Sequence, residues 1–342
     1  MESCSKVVLR WEPSSTVGAE GLLGWKGVVR SMAAASRAAA RDAERRQKAA
    51  RKQQMFAESA SAVEDWQAYI DGLVKVHVTL SESINWRSIV DQPKPVPPRN
   101  SAEHEERAKA RLAAFRPGLF DFLRGGTAAR LARFEAEVAA AADLDRREFD
   151  ERQSEYVAAM SEWEADTGLA HRLICGEASA IREVVAEMQT LSKVDLIGEE
   201  IGFSIGQDFI HAQPRVHSDE IVPRFRRTQS AGGKLKETPL PVGQFNSLYQ
   251  DYVASVALKT GGELLQLLPL DEVYVTCLGN LLDSSTGHKA WLPILSVHFV
   301  RSGFERLNLS AIDPSEALRN FRHNMKFSSQ RGFSPVEAIE VI

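Results

Sequence analysis

Tyr274, Ser296 and His298, with Asp283 between them in the chain, have the side-chain types for proton chemistry. A histidine exchanges a proton near neutral pH, a carboxylate can orient it, and hydroxyls can donate or accept beside it. Tyr274 and Thr276 alternate with Val273, Val275 and Cys277, while Ser296 and His298 alternate with Leu295, Val297 and Phe299. Strict alternation marks a strand, so residues 272–283 and 290–301 are expected to be strands joined by a turn at 284–288. Pairing Val275 with Val297 and Tyr274 with His298 puts the apolar set on one face and the polar set on the other. Pro293 then faces Gly279, where a bulge or an edge would excuse its missing N–H. The polar row is a weak catalytic candidate or a shallow recognition surface; the alternative is a solvated antiparallel face. A restriction-type nuclease would need D/E-x-K on a strand to hold its metal, whereas Asp283 and Lys289 only flank the turn.

Other patterns carry less. Gly202-Phe203-Ser204-Ile205-Gly206 has the G-x-S-x-G form of a nucleophile elbow, which requires a strand before the serine and a helix after it. The residues that follow, Gln-Asp-Phe-Ile-His-Ala-Gln-Pro, make a poor helix, so Ser204 reads as a strand residue. His211, His217 and Asp219 lie close in sequence, and His171 and Cys175 are four apart on an expected helix. Neither group has the ligand number and spacing of a metal centre. No metal or cofactor is assigned.

The most regular charge feature is a basic stripe. Arg37, Arg41, Arg45, Lys48 and Lys52 recur every three or four residues and line one helix face. Residues 37–52 hold seven Lys/Arg and two Asp/Glu, a local charge of +5. Residues 135–166 hold eleven acidic and three basic residues, a local charge of −8. Helices of such opposite charge can pack side by side, within a chain or between copies, and their charges set partner choice more than affinity. A polyanion would also be attracted to the stripe. A second basic cluster, Arg224, Arg226, Arg227, Lys234 and Lys236 around Phe225, falls in an expected loop over 213–243.

These features sit in a chain of 342 residues with net charge −4, 44% hydrophobic and 26% charged residues. That is ordinary for a soluble globular protein, with no global positive excess pointing to nucleic acid. Three separated cysteines, Cys4, Cys175 and Cys277, argue for a reducing compartment. No secretory signal and no apolar run of membrane-spanning length is expected. Ala- and Arg-heavy usage suits a bacterial cytoplasmic protein.

Residues 1–30 read as a poorly ordered lead-in, and 31–192 as a helical or coiled-coil region broken by the prolines at 93–98. Helices are expected over 31–80, from an Asn100/Glu103 start to about Phe115, over 127–166 and over 179–191. A connector at 117–126 separates the second from the third. Residues 193–342 read as an α+β domain with strands near 201–205 and 209–217, a helix over 243–260 and the 272–301 hairpin. Ser302/Glu305 and Asp313-Pro314-Ser315-Glu316 are helix starts. The expected class is α+β: a long-helix half, then an antiparallel sheet with packed helices.

The functional expectation is a non-enzymatic cytoplasmic interaction protein. Its helices 31–80 and 127–166 would meet another copy or another protein, and its α+β domain would recognise a partner. The alternatives are a nucleic-acid-associated protein using 37–52 and 224–236, and an enzyme of unrecognised type at the hairpin.

Overall fold

The computed structural model describes residues 19–116, 126–191, 198–206, 209–283 and 285–341. Residues 117–125 of the expected connector, 1–18 of the expected lead-in with Cys4, and Ser284 of the hairpin turn lie outside these. The protein is α+β. Its helices are α1 (Ala19–Val74), α2 (Trp86–Val90), α3 (Glu103–Ala114), α4 (Gly126–Ile174), α5 (Ala178–Leu191), α6 (Val242–Leu267), α7 (Arg301–Phe304) and α8 (Pro314–Ala317). Its strands are β1 (Glu200–Ile205), β2 (Ile210–Arg215), β3 (Phe225–Gln229), β4 (Leu235–Pro239), β5 (Glu272–Leu282), β6 (Lys289–Val300), β7 (Arg322–Ser328) and β8 (Gly332–Ser334).

Two compact units form, and neither is a continuous stretch of chain: Met1–Ile70 with Phe225–Leu240, and Asp71–Arg224 with Pro241–Ile342. The first contains most of α1 and the β3–β4 hairpin. No proline interrupts the chain between Pro13 and Pro93, and α1 therefore begins at Ala19, inside the expected lead-in. Residues 225–239, expected to be loop, pair instead as antiparallel β3 and β4, with Arg227 opposite Glu237. The signal was weak because Pro, Gly and Ser punctuate short strands.

The second unit holds a six-stranded sheet in the order β1-β2-β5-β6-β7-β8. All neighbours are antiparallel except β2 and β5, which run parallel. The chain from β2 to β5 passes through α6, and such a crossover is what makes a parallel pair possible. The antiparallel sheet expected from sequence is thus a mixed one. The hairpin register is as expected, with Tyr274 opposite His298 and Val275 opposite Val297. Pro293 faces Leu278 rather than Gly279, because the register shifts between Cys277 and Leu278. That irregularity accommodates the imino residue.

Val273, Val275, Cys277, Leu295, Val297 and Phe299 are fully buried. α6 packs against β5, β2 and β6, and it brings Tyr252, Val253, Val256, Ala257, Leu258 and Leu264 into the core. Gly261 and Gly262 fit α6 closely to its neighbours. A Cβ on Gly261 would lie 2.4 Å from the Phe299 ring, and one on Gly262 2.7 Å from Leu80.

The helix ends differ from local expectation in two places. The Asn100/Glu103 start forms no side-chain cap, and Ala102 is the N-cap residue of α3. The Ser302 box is not used either: Val300 precedes α7. The Asp313 cap forms, its Oδ1 accepting the Glu316 amide at 3.0 Å.

Candidate functional site

The sheet register gathers the polar residues of several strands into transverse rows. Directly paired residues share a face, so Ser204, His211, Tyr274, His298 and Arg322 form one row. Thr276, Ser296 and Asn324 lie in the next. His298 and Tyr274 stack with ring centroids 4.4 Å apart and planes 5° apart. His298 Nε2 is 2.7 Å from Glu272 Oε2. His211 Nε2 is 2.8 Å from Thr276 Oγ1, which is 2.7 Å from Ser296 Oγ. Ser296 Oγ also accepts the Ile339 amide at 3.0 Å.

This face is not a solvated one. Thr276, Ser296, Tyr274 and His211 are buried, and burial holds the His211 pKa below its ordinary value. Residues near the C-terminus attach here. Val336 donates to the Pro293 carbonyl at 2.9 Å and Asn324 Nδ2 to the Glu337 carbonyl at 3.1 Å. Hydroxyls and an amide thus satisfy one another beneath the terminal segment, while His298 pairs with Glu272 and Ser204, Arg322 and Asn324 of the same rows stay exposed. The sequence pointed to Tyr274, Ser296 and His298 on this row and to His211 only as part of a cluster with His217 and Asp219, and it did not point to Glu272 or Arg322. Each of these needs the strand order or register to place it.

Asp283 stands apart from the row. Its carboxylate accepts the Ser285 amide and hydroxyl at 2.8 and 2.7 Å and the Thr286 hydroxyl at 3.0 Å. The Ser285 hydroxyl and amide hold its pKa low, with Thr286 adding to the effect. It shapes the hairpin turn. Ser204 is a mid-strand residue, and β1 leads into antiparallel β2 rather than a helix, so the elbow geometry is absent. The sequence cluster His211, His217 and Asp219 disperses: His217 exchanges backbone hydrogen bonds with Tyr252 and Tyr249, and Asp219 pairs with Arg224 at 3.4 Å.

Two further constellations have catalytic or metal-like composition. His77 donates its amide to Ser255 Oγ at 3.1 Å, and its Nδ1 lies 2.8 Å from the same oxygen. Its Nε2 is 3.1 Å from the Leu309 carbonyl. A carbonyl only accepts, so Nε2 carries the proton and Nδ1 accepts from Ser255. Burial lowers the His77 pKa and favours this neutral tautomer. Ser255 is fully buried on α6, so the pair ties α6 to its neighbours without a route for substrate.

His104, Asp145 and Glu148 place potential ligand atoms within 4.8 Å of one another. Both Asp145 oxygens already accept α3 amides, from His104 at 3.2 Å and Glu105 at 2.8 Å. A cation there would face the positive end of a helix. The group acts as a helix cap supplied by another helix.

The basic candidates divide between the two units. Every residue from Arg30 to Met55 is exposed, including Arg37, Arg41, Arg45, Lys48 and Lys52. Arg226, Arg227, Lys234 and Lys236 are exposed on the hairpin of the same unit. The hairpin is fastened to α1 a turn beyond the stripe. Gln229 Nε2 donates to the Phe56 carbonyl at 2.8 Å and Ser59 Oγ at 2.7 Å, and Ser59 Oγ donates to the Gly233 carbonyl at 2.8 Å. Trp66 Nε1 donates to the Phe225 carbonyl at 3.0 Å. Gly233 has φ +78° and backs onto the Phe56 ring, so only glycine suits this contact. Arg224 belongs to the other unit, with its guanidinium 4.7 Å from the Phe245 ring centroid.

Residues 1–70 and 225–240 carry fifteen basic and nine acidic residues, a net charge of +6. The remainder carries twenty-seven basic and thirty-seven acidic residues, a net charge of −10. Among the described residues no helix is long and apolar enough to cross a membrane. Compared with protein-family models, with curated proteins and with solved structures, the chain matches none.

Proposed function

We propose that this protein is a non-enzymatic interaction and assembly protein whose basic α1 arm engages an acidic helix of another copy or another protein. The observation that carries this reading is the exposure of every residue from Arg30 to Met55. Met32 and Met55 are the only large apolar residues in that stretch, so the arm has no stripe with which to join a core. Long helices in proteins owe most of their stability to packing. An Ala-rich basic helix gains that packing by close approach to an acidic partner.

Residues 135–166 of α4 supply a partner of matching character in a second copy: Glu151, Glu155, Glu162 and Asp166 are exposed there. The α+β unit serves as the recognition body, and a cytoplasmic setting suits its buried, unpaired Cys277. Multi-angle light scattering of the full chain tests the reading. Association at low salt is expected to weaken as salt screens the charges, and Arg41→Glu/Arg45→Glu/Lys48→Glu is expected to abolish it. If the chain is monomeric at micromolar concentration at every salt and captures no acidic helix, the reading fails.

A second reading, binding to nucleic acid, is supported by one observation: Arg37–Lys52 and the hairpin arginines and lysines share one unit of net charge +6. Gel shift with single- and double-stranded probes at two salt concentrations tests it, and a steep salt dependence is expected. Absence of a shift even at low salt removes this alternative.

A further inference from the structure

A cavity of about 410 Å³ lies where the ends of α6 and α4 meet the chain leading into α2. Its size falls within the range of small-molecule pockets. Apolar walls come from Trp86, Leu265, Leu268, Pro269 and Ile174. Two of these are held rigidly: Leu268 is buried, and buried Trp86 donates Nε1 to the Leu267 carbonyl at 2.8 Å.

Two arginines also line this space, Arg87 and Arg301. Arg301 is fixed in place by three bonds to backbone carbonyls. Its Nε donates to Leu270 at 3.1 Å, and its Nη2 donates to Leu268 and Leu270 at 2.8 Å each. These use every proton on Nε and Nη2, leaving both Nη1 protons without a hydrogen bond among the described residues. The nearest carboxylate to Nη1 is Glu305 at 3.9 Å. Arg87 is exposed, and its guanidinium has no partner among the described residues. A fixed donor loses little freedom when a ligand arrives. A slot that combines these apolar walls with Ser83, Asn85 and unused guanidinium protons matches an anion carried on a partly apolar body.

The charge count narrows the class. Arg87 and Arg301 supply two positive charges, and Asp271 on the lining and Glu305, 3.9 Å from Nη1, offset them. Two carboxylates beside the arginines repel a phosphate dianion more than a monoanion, so a monoanion is the better fit. We propose that this cavity binds a small organic carboxylate with a flat apolar body, its carboxylate on Arg301 Nη1 and Arg87 and its body against Trp86, Leu268 and Pro269. The inference is independent of the α1 arm and its partner.

Benzoate titrated into the full chain by calorimetry is the test, with benzylamine as the cation control and methyl spectra of Ile84 and Ile174 as the locator. Saturable benzoate binding is expected, with shifts centred on those two methyls and none for benzylamine. Arg87→Gln, which breaks no contact of the fold, should weaken binding roughly tenfold. Asp271→Asn, whose side chain is 95% exposed, should tighten it. Lack of saturable binding, methyl shifts elsewhere, or equal affinity in wild type and Arg87→Gln would each overturn the proposal.

Discussion

Asp145 on α4 caps α3 from forty residues away, its Oδ2 accepting the Glu105 amide at 2.8 Å and its Oδ1 the His104 amide at 3.2 Å. These are the donors an N-cap side chain ordinarily serves, and Ala102, at the cap position, has no oxygen to offer. Burial opposes ionisation of Asp145, but the amides of Glu105 and His104 outweigh it, with His104 and Arg107 adding attraction, and its pKa is held below the ordinary carboxylate value. A carboxyl depressed in the folded state stabilises above its unfolded pKa of about 3.9, and that contribution disappears as pH falls through the folded value. Asp145→Ala should lower the melting temperature at neutral pH, and the gap to wild type should close on acidification below ~pH 4. Thermal unfolding of both proteins across that range checks it; a gap that does not depend on pH contradicts the cap.

Ser296 joins the sheet to the C-terminal segment through the Ile339 amide. Ser296→Ala leaves a buried amide unpaired, which costs about 1–3 kcal/mol. Hydrogen exchange should then speed up at residues 336–341 more than in β5 or α6. Uniform acceleration across the sheet would show instead that the terminal segment is not a separate attachment.

Gly261 lets α6 approach the Phe299 ring, where a Cβ would intrude to 2.4 Å. Alanine is the better helix former by roughly 1 kcal/mol, so propensity alone predicts a more stable Gly261→Ala protein. The contact predicts the opposite, a loss of about 1–3 kcal/mol from overpacking. Denaturant unfolding decides between them by the sign of the change.

Burial raises the Asp251 carboxyl to about 6, opposed by its bond to Ser315 and helped by the charges of Asp313 and Glu316. An acid whose pKa is raised on folding binds more protons in the native state, so stability should fall as pH rises from about 4 to 6. Asp251→Asn should flatten that slope and stabilise the protein at neutral pH by no more than about 2 kcal/mol once solvent screening is counted. Melting temperatures of both proteins from pH 4 to 7 test this, and identical slopes would remove Asp251 as the cause.

Residues close in sequence and regular in spacing determined a good deal by themselves. Alternation around Val275 and Val297 was enough to set the hairpin register and its apolar face. Asp313-Pro314-Ser315-Glu316 specified its own cap, and helical periodicity marked α1, α4 and α6. The long prolineless stretch also specified α1, though its start lies earlier than the glycines of the lead-in suggested.

Tertiary structure alone decided which distant groups meet. Asp145 rather than Asn100 caps α3, the β3–β4 hairpin leaves its chain neighbours to dock on α1, and Ile339 seals a polar row that alternation would place in water. Periodicity and capping are written within a few residues, because they depend on backbone geometry repeating every two or 3.6 positions. A contact between residues 59 and 233, or 296 and 339, depends on how whole elements bury their surfaces together. Nothing in the spacing of either segment encodes the other.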